Sequence, residues 1–185
     1  MLVKIQITNR NFRFGFTIIE MIVALLLMTI LGVVVMSRFA DSNSLNADVV
    51  RDVVVSMSRT ALQNSLGRSS VSLTITPSAG GDEATIETAD AGGTIRSETV
   101  SLRSITLSGD INITDSCEVT PGTTNITNAA PMTIAFGTLG DLGTSGVTGS
   151  TGAVTSAVRI CINNIATDSV CVSPSGFAYA GDCDV

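Results

Sequence analysis

From Phe16 to Met36 the chain is an apolar run, interrupted only by Thr17, Glu20, Thr29 and Gly32. As a helix this run would reach about 32 Å at roughly 1.5 Å per residue, enough for a hydrocarbon core of about 30 Å. One carboxylate, Glu20, lies inside it. A charged side chain at the centre of a membrane helix costs roughly 2.5–3.5 kcal/mol, so a charge kept there calls for a partner. A secretory signal peptide would have a shorter apolar region closed by a small-x-small cleavage site. Met36-Ser37-Arg38-Phe39-Ala40 is a poor match to that form. A plain anchor helix leaves Glu20 unexplained.

Charge is split about the start of this run. Lys4, Arg10 and Arg13 precede Phe16 and no Lys follows it; all 16 acidic residues lie from Glu20 onward, against seven Arg, a net of −9 beyond Gly15 compared with −6 for the whole chain. A basic head before an apolar segment and an acidic body after it fit the positive-inside rule, with the body exported. Such a body repels nucleic acid except at a local basic patch. His and Trp are absent and there is one Tyr. Without His, the commonest general base and the commonest metal ligand are both missing, which argues against an enzyme, a cofactor site or a metal site. Cys117, Cys161, Cys171 and Cys183 all follow the apolar run. Four cysteines in an exported body read as two disulfides with three possible connectivities. Four free thiols are the alternative, and zinc binding lacks a CxxC pair.

Gly15-Phe16-Thr17-Ile18-Ile19-Glu20 with the apolar run behind it resembles the class III signal of type IV prepilins and type II secretion pseudopilins. In that family a membrane-embedded aspartyl protease, the prepilin peptidase, cuts after the glycine. It then N-methylates the new terminal residue, and the apolar helix packs into a filament core. The resemblance implies that Met1–Gly15 is a leader, Phe16 the methylated phenylalanine at the new N-terminus, and Glu20 the assembly carboxylate. Cleavage would leave an ammonium on Phe16, which Glu20 pairs with in the same or a neighbouring subunit. Away from water such a pair fixes register, although desolvation offsets much of the gain. One departure from the family is the absence of a Pro soon after the run, where the chain reads Val35-Met36-Ser37-Arg38. Local helix melting would then rely on Gly32.

Beyond Arg38 the pattern stays helical. Leu45, Val49, Val53, Met57, Ala61 and Leu62 recur at three- and four-residue spacing among polar residues, which predicts an amphipathic helix with those residues facing a core. Gly67 is the expected stop. No strong breaker separates Phe16 from Leu66, so one helix of roughly 75 Å is expected, with Asp41-Ser42-Asn43-Ser44 able to kink it or begin a new cap. After Gly67 the residues alternate at period two. Strands are predicted over 71–76, 84–88, 98–107, 111–114, 132–136, 154–162, 169–172 and 177–179, with Gly80-Gly81, Gly92-Gly93 and Gly109-Asp110 as turns. The expected fold is therefore α+β and pilin-like: a long N-terminal helix, half membrane and half amphipathic, packed on an antiparallel β-sheet or sandwich. The expected division is a leader over 1–15, a transmembrane or filament-core helix over 16–38, an amphipathic helix over 39–67 and a β-rich globular head over 68–185.

Within the family, Met132-Thr133-Ile134-Ala135-Phe136-Gly137, Val158-Arg159-Ile160-Cys161-Ile162 and Val170-Cys171-Val172-Ser173-Pro174-Ser175-Gly176 resemble the GspH/FimT group of minor pilins and pseudopilins. Arg38-Phe39-Ala40-Asp41 and Gly67-Arg68-Ser69-Ser70-Val71 are similar to minor pilins of the mannose-sensitive haemagglutinin type. The resemblance implies a structural subunit held in the bacterial inner membrane by a single pass, with a periplasmic head. After processing it would enter a type IV pilus or a type II secretion pseudopilus. Its partners would be the prepilin peptidase, the inner membrane and other pilins or pseudopilins. Two alternatives are a filament-displayed module binding DNA or surfaces and an anchored protein that is never processed.

Other candidate sites are weaker. The Gly-, Thr- and Ser-rich stretch 137–156 reads as a long surface loop with no phosphate-binding context. Some FimT relatives bind DNA through basic residues near the final strands. Here the tail Phe177-Ala178-Tyr179-Ala180-Gly181-Asp182-Cys183-Asp184-Val185 has two acids and no base, which argues against DNA binding by that route. Arg96, Arg103 and Arg159 are expected on solvated strand faces. Asn112-Ile113-Thr114 and Asn125-Ile126-Thr127 match the glycosylation sequon, and Asp182 with Asp184 is a weak calcium pattern.

Overall fold

In Val71-Ser72-Leu73-Thr74-Ile75-Thr76-Pro77 every second residue is buried and the residues between are partly covered. This is the signature of a strand with one face on a core. The computed structural model of this chain describes residues 17–39, 42–113, 117, 124–181 and 183. It divides the chain into two compact units, Met1–Asp41 and Ser42–Val185.

In the first unit the described residues form helix α1, Ile18–Phe39. The second opens with helix α2, Ser42–Ser65, followed by eleven strands: β1 Val71–Pro77, β2 Glu83–Asp90, β3 Gly93–Ser101, β4 Leu107–Ile111, β5 Thr124–Asn125, β6 Met132–Phe136, β7 Thr144–Val147, β8 Ser150–Ala153, β9 Val158–Ile162, β10 Ile165–Val172 and β11 Ala178–Ala180. They form two antiparallel sheets. One has six strands in the order β3-β2-β1-β6-β7-β8, and the other has five in the order β11-β10-β9-β4-β5. Val50, Val54, Met57 and Ala61 of α2 share one buried cluster with Leu73 and Ile75 of β1, Ile134 of β6 and Ile160 of β9.

The expected fold class is overturned. Among the described residues the chain is mostly β-sheet, with two helices of 22 and 24 residues in place of one long helix on a small head. Among the described residues no helix is long and apolar enough to cross a membrane. The second helix starts within the Asp41-Ser42-Asn43-Ser44 stretch. Short polar side chains compete there with helical hydrogen bonds and favour a helix start over a helix interior.

The core face of α2 also differs from expectation. Ala47, Val50, Val54, Met57 and Ala61 are buried, whereas Leu45 and Val49 are 58% and 54% exposed. Two apolar stripes overlap on this helix and share Met57 and Ala61. Ser58 and Ser65 decide between them: both are buried, with hydroxyls donating to Val54 O at 2.8 Å and Leu62 O at 2.7 Å. A serine bonded back onto its own helix buries at little cost, so the stripe that carries it faces inward.

Several readings of the β-rich unit needed revision; of the described residues in the predicted strand 111–114 only Ile111 is strand, at the end of β4. The predicted strand 98–107 is instead the end of β3, a connection and the start of β4. Gly109-Asp110, predicted as a turn, lies inside β4. A Cβ on Gly109 would clash with Met132 Sδ and lie 3.0 Å from its Cε, so glycine here lets the five-stranded sheet approach the six-stranded one. Finally, the stretch 137–156 contains the hairpin β7–β8, in register from Thr144↔Ala153 to Val147↔Ser150. Its Ser145 is fully buried, its hydroxyl accepting from Ala135 N at 3.1 Å and donating to Gly143 O at 3.2 Å. Pairing by small polar residues leaves no apolar alternation to read.

Candidate assembly surface

The start of α1 is built by Thr17. Its carbonyl accepts the Met21 amide at 3.2 Å and its hydroxyl accepts the Glu20 amide at 3.3 Å, the arrangement of an N-cap. Thr17-Ile18-Ile19-Glu20 has the capping-box spacing, and Glu20 places its charge in the first helical turn, where the helix dipole favours an anion. Gly15 and Phe16, the expected processing residues, lie outside the described residues, as does the leader.

From Ile18 to Leu31 the apolar side chains of α1 point outward on every side. Exposure runs from 83% at Ile18 to 48% at Val23, and Met21, Leu25, Leu26, Leu27, Met28 and Leu31 all lie between. A helix apolar all round belongs in an apolar environment, and a continuous exposed surface of this kind marks an interaction surface. Thr29 is already adapted to one: its hydroxyl donates to Leu26 O at 2.8 Å, so it can leave water without losing its bond.

Two disulfides brace the β-rich unit, Cys117–Cys161 and Cys171–Cys183. This bears out the expected pair and chooses among its three connectivities. Arg159, expected on a solvated face, is 1% exposed and lies 3.6 Å from Asp110 across the β4–β9 ladder. No pattern of neighbours in the sequence marks it, because its partner lies some fifty residues away in the chain. Arg96 pairs with Glu98 at 3.0 Å on the exposed β3 edge. Arg59, not singled out from the sequence, lies over the Phe177 ring at 5.4 Å and donates to Ala178 O at 3.1 Å.

The remaining candidates do not converge on a chemical site. Asn112 serves the fold: its Oδ1 accepts from Thr155 and Ser156 amides and its Nδ2 donates to Ala153 O, which leaves little of it for a sugar. Thr114, Asp182 and Asp184 lie outside the described residues. Asn125 is exposed at the end of β5 beside the buried Ile126. A cavity of about 530 Å³ opens between the β1–β2 turn and the residues flanking β5; its lining, which includes Ser78, Thr106, Asn125 and Thr127, carries no charged side chain. Among the described residues no group of three or more metal-ligating side chains occurs.

Gly137–Leu142 is packed down at the end of α2. Leu142 N donates to Pro174 O at 2.9 Å, and a Cβ on Gly176 would strike Gly140 O. Gly140 itself leaves no room for a Cβ beside Leu62. Comparison with known proteins gave no match to a family model, a curated protein or a solved structure.

Proposed function

We infer that this protein is a non-enzymatic filament subunit of the minor pilin or pseudopilin type. The prepilin peptidase cuts it after Gly15, and it assembles with other pilins or pseudopilins into a type IV pilus or type II secretion pseudopilus. Before assembly it is held at the bacterial inner membrane through its apolar N-terminal segment, with the β-rich unit outside the cytoplasm. The observation that carries this reading is α1 itself. It is a capped helix whose apolar side chains from Ile18 to Leu31 are all exposed among the described residues, and it begins two residues after the Gly15-Phe16 junction. Its cover must come from elsewhere, and a bundle of like helices supplies it. The disulfides suit an oxidising compartment.

In this reading Glu20 meets the ammonium that cleavage leaves on Phe16 of its own or a neighbouring subunit. The test is co-expression with a prepilin peptidase. The wild-type chain shortens by about 15 residues, the length of the segment before Phe16, and Gly15→Ala keeps its full length. If the wild-type chain is not shortened, or if Gly15→Ala is shortened equally, the reading fails.

A further inference from the structure

Strand β3 closes one edge of the six-stranded sheet, with β2 on its inner side and no described strand on its outer side. An uncovered edge offers unpaired main-chain groups to any extended segment. Two features restrict what can use this one. Ile95 is the extra residue of a bulge, since Thr88 pairs with Arg96 and Ala89 with Thr94, so regular strand runs from Arg96 toward Ser101. Arg96 and Glu98 stand opposite Thr88 and Ile86, both buried, on the inward face of the sheet. There they border a groove with Val49, Asp52, Val53 and Ser56 of α2. Inward-pointing charges repel an arbitrary apolar strand.

We propose that the β3 edge pairs with the β3 edge of a second copy of this chain, antiparallel and centred on Ser97. Symmetry limits the registers. Opposed residues must lie on the same face of the joint sheet and side chains alternate between faces, so a two-fold pairing always places one residue opposite its own copy. Centring on Arg96 opposes two guanidinium groups, and centring on Glu98 opposes two carboxylates. Centring one step further either way leaves Arg96 and Glu98 opposite uncharged residues. Only the register on Ser97 sets Arg96 of each copy against Glu98 of the other, twice, on the same face. Its central pairs, Ser97 with Ser97 and Arg96 with Glu98, lie in the regular part of the strand. Arg96 and Glu98 pair with each other within one chain, and in this register each also faces its counter-charge across the seam, which is how an interface combines attraction with exclusion.

The contact is isologous and closes on itself. It is therefore separate from the head-to-tail contacts that extend a filament, and its failure would leave the proposed function standing.

Cross-linking of the full chain in detergent under mild oxidation tests it. Directly opposed residues have Cα atoms about 4.5–5.5 Å apart, within the range a disulfide spans. Ser97→Cys gives a covalent dimer that reductant dissolves. Thr99→Cys, with its two copies about 13 Å apart in this register, gives at least tenfold less. On the Ser97→Cys background, Arg96→Glu or Glu98→Arg lowers the dimer yield at least tenfold, and the two together restore it. Thermal melting of each variant separates loss of pairing from loss of fold. Equal cross-linking at positions 97 and 99, no cross-linking at 97, or no restoration by the double reversal in a folded protein overturns the proposal.

Discussion

Helices α1 and α2 are nearly equal in length, 22 and 24 residues, and differ in everything that holds a helix in place. The second buries one stripe, from Ala47 to Ala61, against both sheets, and its position is decided within its own unit. The first has apolar residues on all sides and buries none of those described from Ile18 to Leu31. Isolated helices gain most of their stability in proteins from packing rather than propensity. The contrast therefore separates a helix whose packing is supplied by its own unit from one whose described apolar side chains stay exposed, the surface on which the proposed assembly rests. It also explains why Glu20 is tolerated: a charge at a capped first turn costs little until the helix is covered, and on covering it needs a counter-charge.

The comparison breaks most sharply under one substitution made in each helix. Val54→Asp puts a carboxylate at a fully buried position of α2, and an uncompensated buried charge costs about 3–5 kcal/mol. The β-rich unit of the full chain then melts well below wild type or fails to fold, as followed by β-sheet circular dichroism. Leu26→Asp on α1 leaves that melting within about 0.5 kcal/mol of wild type, as for a surface site, but removes the chain from filaments. A large loss of β-unit stability from Leu26→Asp would mean that α1 is packed after all.

The disulfides come next. Cys117–Cys161 closes a separation of 44 residues and Cys171–Cys183 one of 12. Loop-closure entropy assigns them about 4 and about 3 kcal/mol respectively. Replacing each pair by Ala should preserve that order in the melting of the β-rich unit, and neither replacement should alter cleavage after Gly15. The reverse order would show that strain or residual structure in the unfolded chain, not loop length, sets their contribution.

A smaller effect is expected of Glu20→Ala. Its bond to the Thr17 hydroxyl comes from the main-chain amide, so the substitution leaves that cap intact and removes the carboxylate alone. Cleavage should proceed as in wild type while incorporation into filaments falls roughly tenfold, the scale of one hydrogen bond to a charged group. Normal incorporation would sink the pairing of Glu20 with the new N-terminus.

What was legible in the sequence follows a physical rule. Strands β1 and β6 carry large apolar residues at alternate positions, Val71, Leu73 and Ile75 in one and Met132, Ile134 and Phe136 in the other, and 132–136 matched its predicted bounds. Where pairing rests on Ser, Thr and Gly, as in β7 and β8, or where Gly interrupts a strand for the sake of the opposite sheet, as in β4, alternation carries no signal. The core face of α2 was read from the stripe through Leu45, Val49 and Val53, whereas the structure buries the overlapping stripe through Ala47, Val50 and Val54, which also carries Ser58 and Ser65. The number of disulfides could be read from cysteine count, but their pairing depends on contacts far apart in sequence. At the proposed site the apolar run and Glu20 were evident, and the Thr17 cap that organises the first turn was not recognised. The single continuous helix failed because the lack of a Pro says that a helix can continue, not that it does.

The smallest predicted effect tests how tightly the two sheets meet. An added methyl at Gly109 would run into Met132 Sδ and lie 3.2 Å from Val147 Cγ2. The Met132 atoms in its way are the flexible end of the side chain, which can turn aside, so Gly109→Ala should cost about 1 kcal/mol, the low end for overpacking a core. In a Met132→Ala background the same methyl enters space already vacated, and its cost should fall toward zero. The coupling between the two changes then measures the contact directly. Ala24→Val on α1 adds more volume at an exposed position and should leave the melting of the β-rich unit unchanged. If Gly109→Ala costs nothing in the wild-type background, the sheets are not in close contact at β4, and the reason for glycine in that strand must be sought in its backbone instead.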